Sequence, residues 1–241
     1  MTRWARLTWQ VPDPVSFAAT LGARLGVATS HGATPDTPVL DLGSALLEIR
    51  PWVRESPSDE PLPGGRLMLE PVPGGEAEPD EADPDARRPL RLAGTGWATV
   101  ELDRAEEELG MWLGDATEGP GGGTRPDAVE PHLGAFARVR RAGGIPGDAF
   151  VLLEPSTEGR VAASLVRDNE GPCALYLGAA DGLTAWAAAA RARGVRLGVR
   201  RSGPLGSQVL LAGGPVAGPH LLVVDAARSS IRNPPAGTIA P

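Results

Sequence analysis

One order of elements recurs three times along the chain, and a chain that repeats a supersecondary unit has few ways to bury the open face of each copy. In the first copy, Arg3 to Val11 alternates like a half-buried strand. Pro14 to Leu25 then carries apolar residues at helical spacing, with Asp13 placed to cap its start and Gly26 to end it. Three short apolar runs bounded by Gly and Pro follow, at 39–43, 45–53 and 65–72, and read as strands. The second copy opens with the strand 96–102 and the helix 104–113, and continues through 132–140, 148–155 and 159–166. The last of these contains Ala and Leu that equally permit a helix. The third copy runs from the strand 173–179 through the helix 183–194 to 195–201, 207–213 and 220–226. The expected class is α+β, built from repeated β-α-β-β-β modules.

The breaks between copies are compositional. Pro73 to Pro89 holds six carboxylates, several prolines and almost nothing apolar, the composition of a solvated linker. Residues 115–131 are polar and glycine-rich, and the stretch after Ala227 is read as a flexible tail. The division is therefore a first module at 3–73, an acidic linker at 74–92, paired modules at 95–168 and 172–226, and a tail at 227–241.

Composition removes several functions. All 23 positive charges are arginine, so neither Schiff-base chemistry nor a P-loop lysine is available. A net charge of −7 without a basic stripe argues against nucleic acid. Apolar runs fall far short of a bilayer span and the N-terminus lacks a signal-peptide pattern, so no membrane association and a cytoplasmic location are expected. One cysteine, Cys173, allows no internal disulfide.

From Leu152 to Asp225 the motifs LLEP, NEG, ARGVRL and GPHLLVVDA stand in an order that resembles the glyoxalase/bleomycin-resistance/extradiol-dioxygenase group, the vicinal oxygen chelate superfamily, and within it the methylmalonyl-CoA epimerase-like branch. The resemblance covers residues 95–226. Residues 3–73 share it through the VPD opening and the GSALLEIRP hairpin. It implies modules that curl in pairs into an open sheet or half-barrels around a cavity, where a divalent metal commonly sits on His and Glu or Gln. Aligned by motif, the four ligand positions fall on Trp97, Val151, Ala174 and Leu222, all apolar. A divalent ion needs converging oxygen or nitrogen ligands, so no metal or other cofactor is expected.

The leading expectation is a metal-free protein that holds a small apolar or aromatic molecule, as bleomycin-resistance members hold drugs, with Trp9, Trp97, Val151, Ala174, Tyr176 and Leu222 as walls. Residues two apart on a strand share a face, so Glu101 with Trp97, Tyr176 with Ala174 and His220 with Leu222 offer a displaced site. The alternative is thus a lyase, isomerase or dioxygenase with a relocated divalent metal, using Glu101 and His220 as ligand or base. A third reading is a structural module without a ligand, signalled by a barrel plugged by its own side chains. Three modules leave one without a mate, so residues 3–73 are expected to pair with a second chain in a homodimer or to pack across the other two.

Overall fold

A computed structural model describes residues 5–32, 34, 37–43, 45–53, 65–71, 88–110, 128–141, 147, 149–214, 216 and 218–225. The tail, most of the linker, Trp4 and Trp112 lie outside them. Among the described residues no helix is long and apolar enough to cross a membrane.

The first sheet begins with β1 (Ala5–Val11), whose odd residues Leu7, Trp9 and Val11 are buried. Helix α1 (Pro14–Leu25) starts where the Asp13 carboxylate accepts the Ser16 N–H at 3.1 Å, and stops at Gly26 with φ 76°. Strands β2 (Thr29–His31), β3 (Pro38–Asp41) and β4 (Leu46–Pro51) follow, and β4 returns parallel to β1. The sequence pattern makes 65–72 the closing strand of this module. Those residues instead form β5 (Arg66–Pro71) on the far side of β1 and antiparallel to it, while the short β2, unmarked in the sequence, completes the module. The strand order is β2-β3-β4-β1-β5.

The second sheet contains two complete modules. One comprises β6 (Leu90–Ala98), α2 (Leu102–Glu108), β7 (Ala128–Glu130), β8 (Ala135–Arg141) and β9 (Ala149–Pro155). Helix α3 (Arg160–Asp168) then leads to the next, which comprises β10 (Gly171–Ala179), α4 (Leu183–Ala192), β11 (Arg201–Gly203), β12 (Gly206–Leu210) and β13 (His220–Asp225). The stretch forming α3 is therefore a helix and not a strand. Val161 and Ser164 are buried while Val166 is exposed, a helical spacing, and the two alanines favour that state. Within each module the first and last strands are parallel, and β6 and β10 join the modules antiparallel. The eight-strand order is β11-β12-β13-β10-β6-β9-β8-β7, and its ends approach each other at β11 and β7, so the sheet curls nearly into a closed barrel.

The two faces are distinct. Leu175, Leu177, Leu221 and Val223 point outward to Trp186 and Leu183 of α4, in a core continuous with α1 and the first sheet. The Trp186 indole N–H donates to the Leu25 carbonyl at 3.3 Å, tying α4 to α1. Ala174, Tyr176, Val151, Leu153, Leu222 and Val224 point inward and form a second core that fills the barrel.

Candidate functional site

One carboxylate lies inside this barrel. Glu130 ends β7 and is 0% exposed. The Gln208 Nε2, on β12, donates to both of its oxygens at 2.7 Å. The Tyr176 hydroxyl, on β10, donates at 3.1 Å, and the His132 backbone N–H at 3.0 Å. These bonds tie β7, one end of the strand order, to β12, the strand next to its other end, and to β10. Two glycines make room for the donors. A Cβ at Gly96 would sit 2.9 Å from the Ala174 Cβ and 3.3 Å from the Tyr176 ring, and one at Gly203 would run into the Gln208 carboxamide.

Electrostatics follow from dryness. Burial raises the Glu130 carboxyl, against the opposing pull of the bonds from Gln208, His132 and Tyr176, and no cation contributes. Burial likewise lowers the imidazole of His132, which also bonds to the Gln208 backbone. It pushes His220 down to about 3, helped by Arg160 and Arg167, and Cys173 up to about 12. Tyr176 is raised well above its ordinary value by burial and by the adjacent carboxylate. Burial opposes the charged form of each group in this polar cluster. Three of its buried polar atoms lack a partner: Gln208 Oε1, His132 Nε2 and His220 Nε2.

The sequence-predicted wall residues divide between the faces. Val151, Ala174, Tyr176 and Leu222 do meet in the barrel, each 0% exposed, so they form packed core rather than the lining of an open cavity. Trp97 is on the opposite face: it packs against Leu102, Ala105, Phe150 and Leu152 under α2, with its ring 6.0 Å from that of Phe150. The inward position of β6 is its neighbour Gly96, so the motif alignment is one residue out there, which exchanges the faces of a strand. Trp9 belongs to the other core, edge-on to Phe17 at 5.0 Å; Phe17 also lines a shallow groove of about 340 Å³ with Val11, Pro12 and Asp13.

Glu101 and His220 are not brought together. Strand β6 ends at Ala98, so alternation no longer carries Glu101 to the face of Trp97; it is exposed at the start of α2. His220 is 3% exposed and pairs with Ala174 on the inward face. Among the described residues no three His, Cys, Asp or Glu are placed to hold a metal ion, and the inward residues of β6, β9, β10 and β13 are almost all apolar.

Sequence reasoning misses Glu130 and Gln208. Glu130 falls in a stretch whose composition is that of a polar loop, on a strand of three residues, too short for alternation to register. A single Gln within the apolar run SQVLLAG is the one available signal for the other.

No protein-family model and no curated protein matches the sequence. Among solved structures, BphC, a halotolerant catechol dioxygenase, is similar over 92% of this chain and 86% of that one, at 11% identity and TM-score 0.50. The methylmalonyl-CoA epimerase from Mycobacterium tuberculosis is 21% identical, covering 56% of this chain and 86% of that one with TM-score 0.42. A Streptomyces coelicolor methylmalonyl-CoA epimerase variant is 25% identical over 57% and 97%, with TM-score 0.42. The first likeness spans both sheets and bears on the fold alone. The chain therefore has a glyoxalase-like fold.

Proposed function

We infer that this protein binds a small aromatic molecule carrying a hydrogen-bond donor in place of the Tyr176 phenol, which in the closed structure itself fills the barrel of residues 90–225, and that it does so without a divalent ion. One observation carries the reading. The Tyr176 phenol lies against Gly96 and Ala174 with its hydroxyl on the buried Glu130 carboxyl, so the protein's own side chain occupies the interior as a ring with a donor would. Glu130 meets neutral donors only, and the unpartnered atoms Gln208 Oε1 and His132 Nε2 beside it are further acceptors available to a donor-bearing ligand. The apolar remainder of the wall supplies the affinity of a desolvated ring. The way in is the β7–β11 side, where side chains rather than a strand ladder close the barrel.

The test uses the wild-type chain with phenol, benzyl alcohol and benzoate, followed by thermal shift and titration calorimetry. Phenol and benzyl alcohol should raise Tm, the linkage stabilisation being about 2.7 kcal/mol at a hundredfold excess over Kd. Benzoate, which brings acceptors, should not, and Glu130→Ala should abolish the response. Silence from all three probes favours a ligand-free structural module. Near-stoichiometric metal in the purified protein, measured by plasma mass spectrometry, would restore the metal-dependent lyase, isomerase or dioxygenase.

A further inference from the structure

The two sheets differ at one place. In the second sheet the antiparallel neighbour of β6 is β10, and β13, β12 and β11 continue beyond it. In the first sheet β5 takes the equivalent place beside β1, and among the described residues nothing continues beyond it. Its outward N–H and C=O groups form an edge with no charged or bulged residue turned inward to protect it. The edge reads Arg66-Leu67-Met68-Leu69-Glu70.

That pentapeptide is complementary to itself. When two identical strands pair antiparallel about a two-fold axis normal to the sheet, opposite residues lie on the same face, so the residue numbers of each pair must sum to an even value. With the axis at Met68, Arg66 faces Glu70 of the second copy twice on one face, and Leu67 faces Leu69 twice on the other. Moving the axis to Leu67 or Leu69 breaks both ion pairs. The charges suit this register: Arg66 makes no ion pair among the described residues, and Glu70 uses only Oε2 internally, toward Arg50 at 3.2 Å and Thr8 at 3.5 Å. Leu67 is buried and Leu69 partly so, and both already belong to apolar packing that the second copy would extend.

We propose that the β5 edge of the first sheet, whose apolar face already packs on the second sheet, is covered by a second copy of this chain through antiparallel β5–β5 pairing centred on Met68. The two five-stranded sheets become one continuous sheet, and each copy supplies what the missing second module supplies elsewhere in the fold.

The experiment is light scattering on the full chain after size exclusion, at micromolar concentration. Wild type should run at twice the 24.9 kDa chain mass. Arg66→Glu and Glu70→Arg should each run at the chain mass, because each sets like charges opposite one another. Mixing the two variants restores opposite charges at both contacts and should return the doubled mass. A monomeric wild type, a dimeric Arg66→Glu variant, or a mixture that stays monomeric overturns the pairing. Since Glu70 also holds Arg50, a second measurement bypasses it: Met68→Cys should cross-link to a covalent dimer on mild oxidation, Cys173 being buried. Its failure to cross-link under conditions where the protein is dimeric overturns the register.

Discussion

Replacing Tyr176 by phenylalanine removes one oxygen from the barrel and leaves the ring against Gly96 and Ala174. The loss falls on Glu130, which keeps the Gln208 amide and the His132 backbone N–H as donors. Burial holds the folded-state carboxyl above its ordinary value of 4.5, so the folded protein binds that proton more tightly than the unfolded chain. The resulting stability is fully present below the ordinary value and is lost as pH rises through the raised one. Against a neutral acid, the missing hydroxyl costs about 1 kcal/mol. Against an ionised carboxylate it costs about 1.5–3 kcal/mol, since hydrogen bonds to charge are roughly twice as strong. Tyr176→Phe should therefore be mildly destabilising at a pH below the ordinary carboxyl value and markedly more so at a pH above the raised one, with Tm falling ~2–4 °C per kcal/mol in a chain of this size. Urea denaturation followed by circular dichroism at both pH values measures it. In a Glu130→Gln background the cost should shrink to about 1 kcal/mol or less and lose its pH dependence. Equal costs at both pH values in the wild-type background, or a pH dependence that persists in the Glu130→Gln background, would refute the assignment of Glu130 as the titrating partner.

Three further outcomes follow from the same geometry. Cys173, 5% exposed with its thiol pushed up to about 12, should resist iodoacetamide in the native protein and react with one equivalent in urea. Gly96→Ala should cost about 1–3 kcal/mol through overpacking, and Ala174→Gly in the same chain should recover much of it, read from urea midpoints. Arg138 is 2% exposed and reaches Asp103 and Glu106 at 2.7 Å, pinning α2 to β8. Arg138→Ala should cost about 2 kcal/mol, less than a fully buried pair because both carboxylates reach water, and calorimetric Tm checks it.

How much of this is visible in the residues depends on how local the signal is. The opening strands and helices of the modules are legible because alternation and caps act over a few residues, as at Asp13 and Gly26 around α1. The strands β2 and β7, three residues each, are held by ladders to β3 and β8 and carry no pattern of their own. The placement of β5 beside β1 depends on pairing between the two ends of the first sheet's chain segment, which hydropathy does not encode. In β6 the pattern identifies the strand and not its face: Leu90 and Leu92 point outward while Ala93 and Gly96 point inward, because the pairing with β10 shifts register beside Leu92. Of the buried cluster, His220 is foreseen as a ligand or base and Tyr176 as a wall residue. Its partners Glu130 and Gln208 meet across 78 positions of chain, and neither is unusual until the barrel curls.

A strip of eight strands whose last strand, β7, is tied to β12 by a carboxylate and an amide is topologically open although its shape is nearly closed. The ladders at β10 and β13 have hydrogen-bonded neighbours on both sides, so their amides should be among the slowest of the chain to exchange with solvent. At β7 and β11, separation breaks a few side-chain contacts and no ladder between them, so the amides of these strands should exchange sooner than those of β10 and β13. The barrel thus has a fixed line of weakness, set by connectivity rather than by sequence, and any motion that exposes its interior starts there.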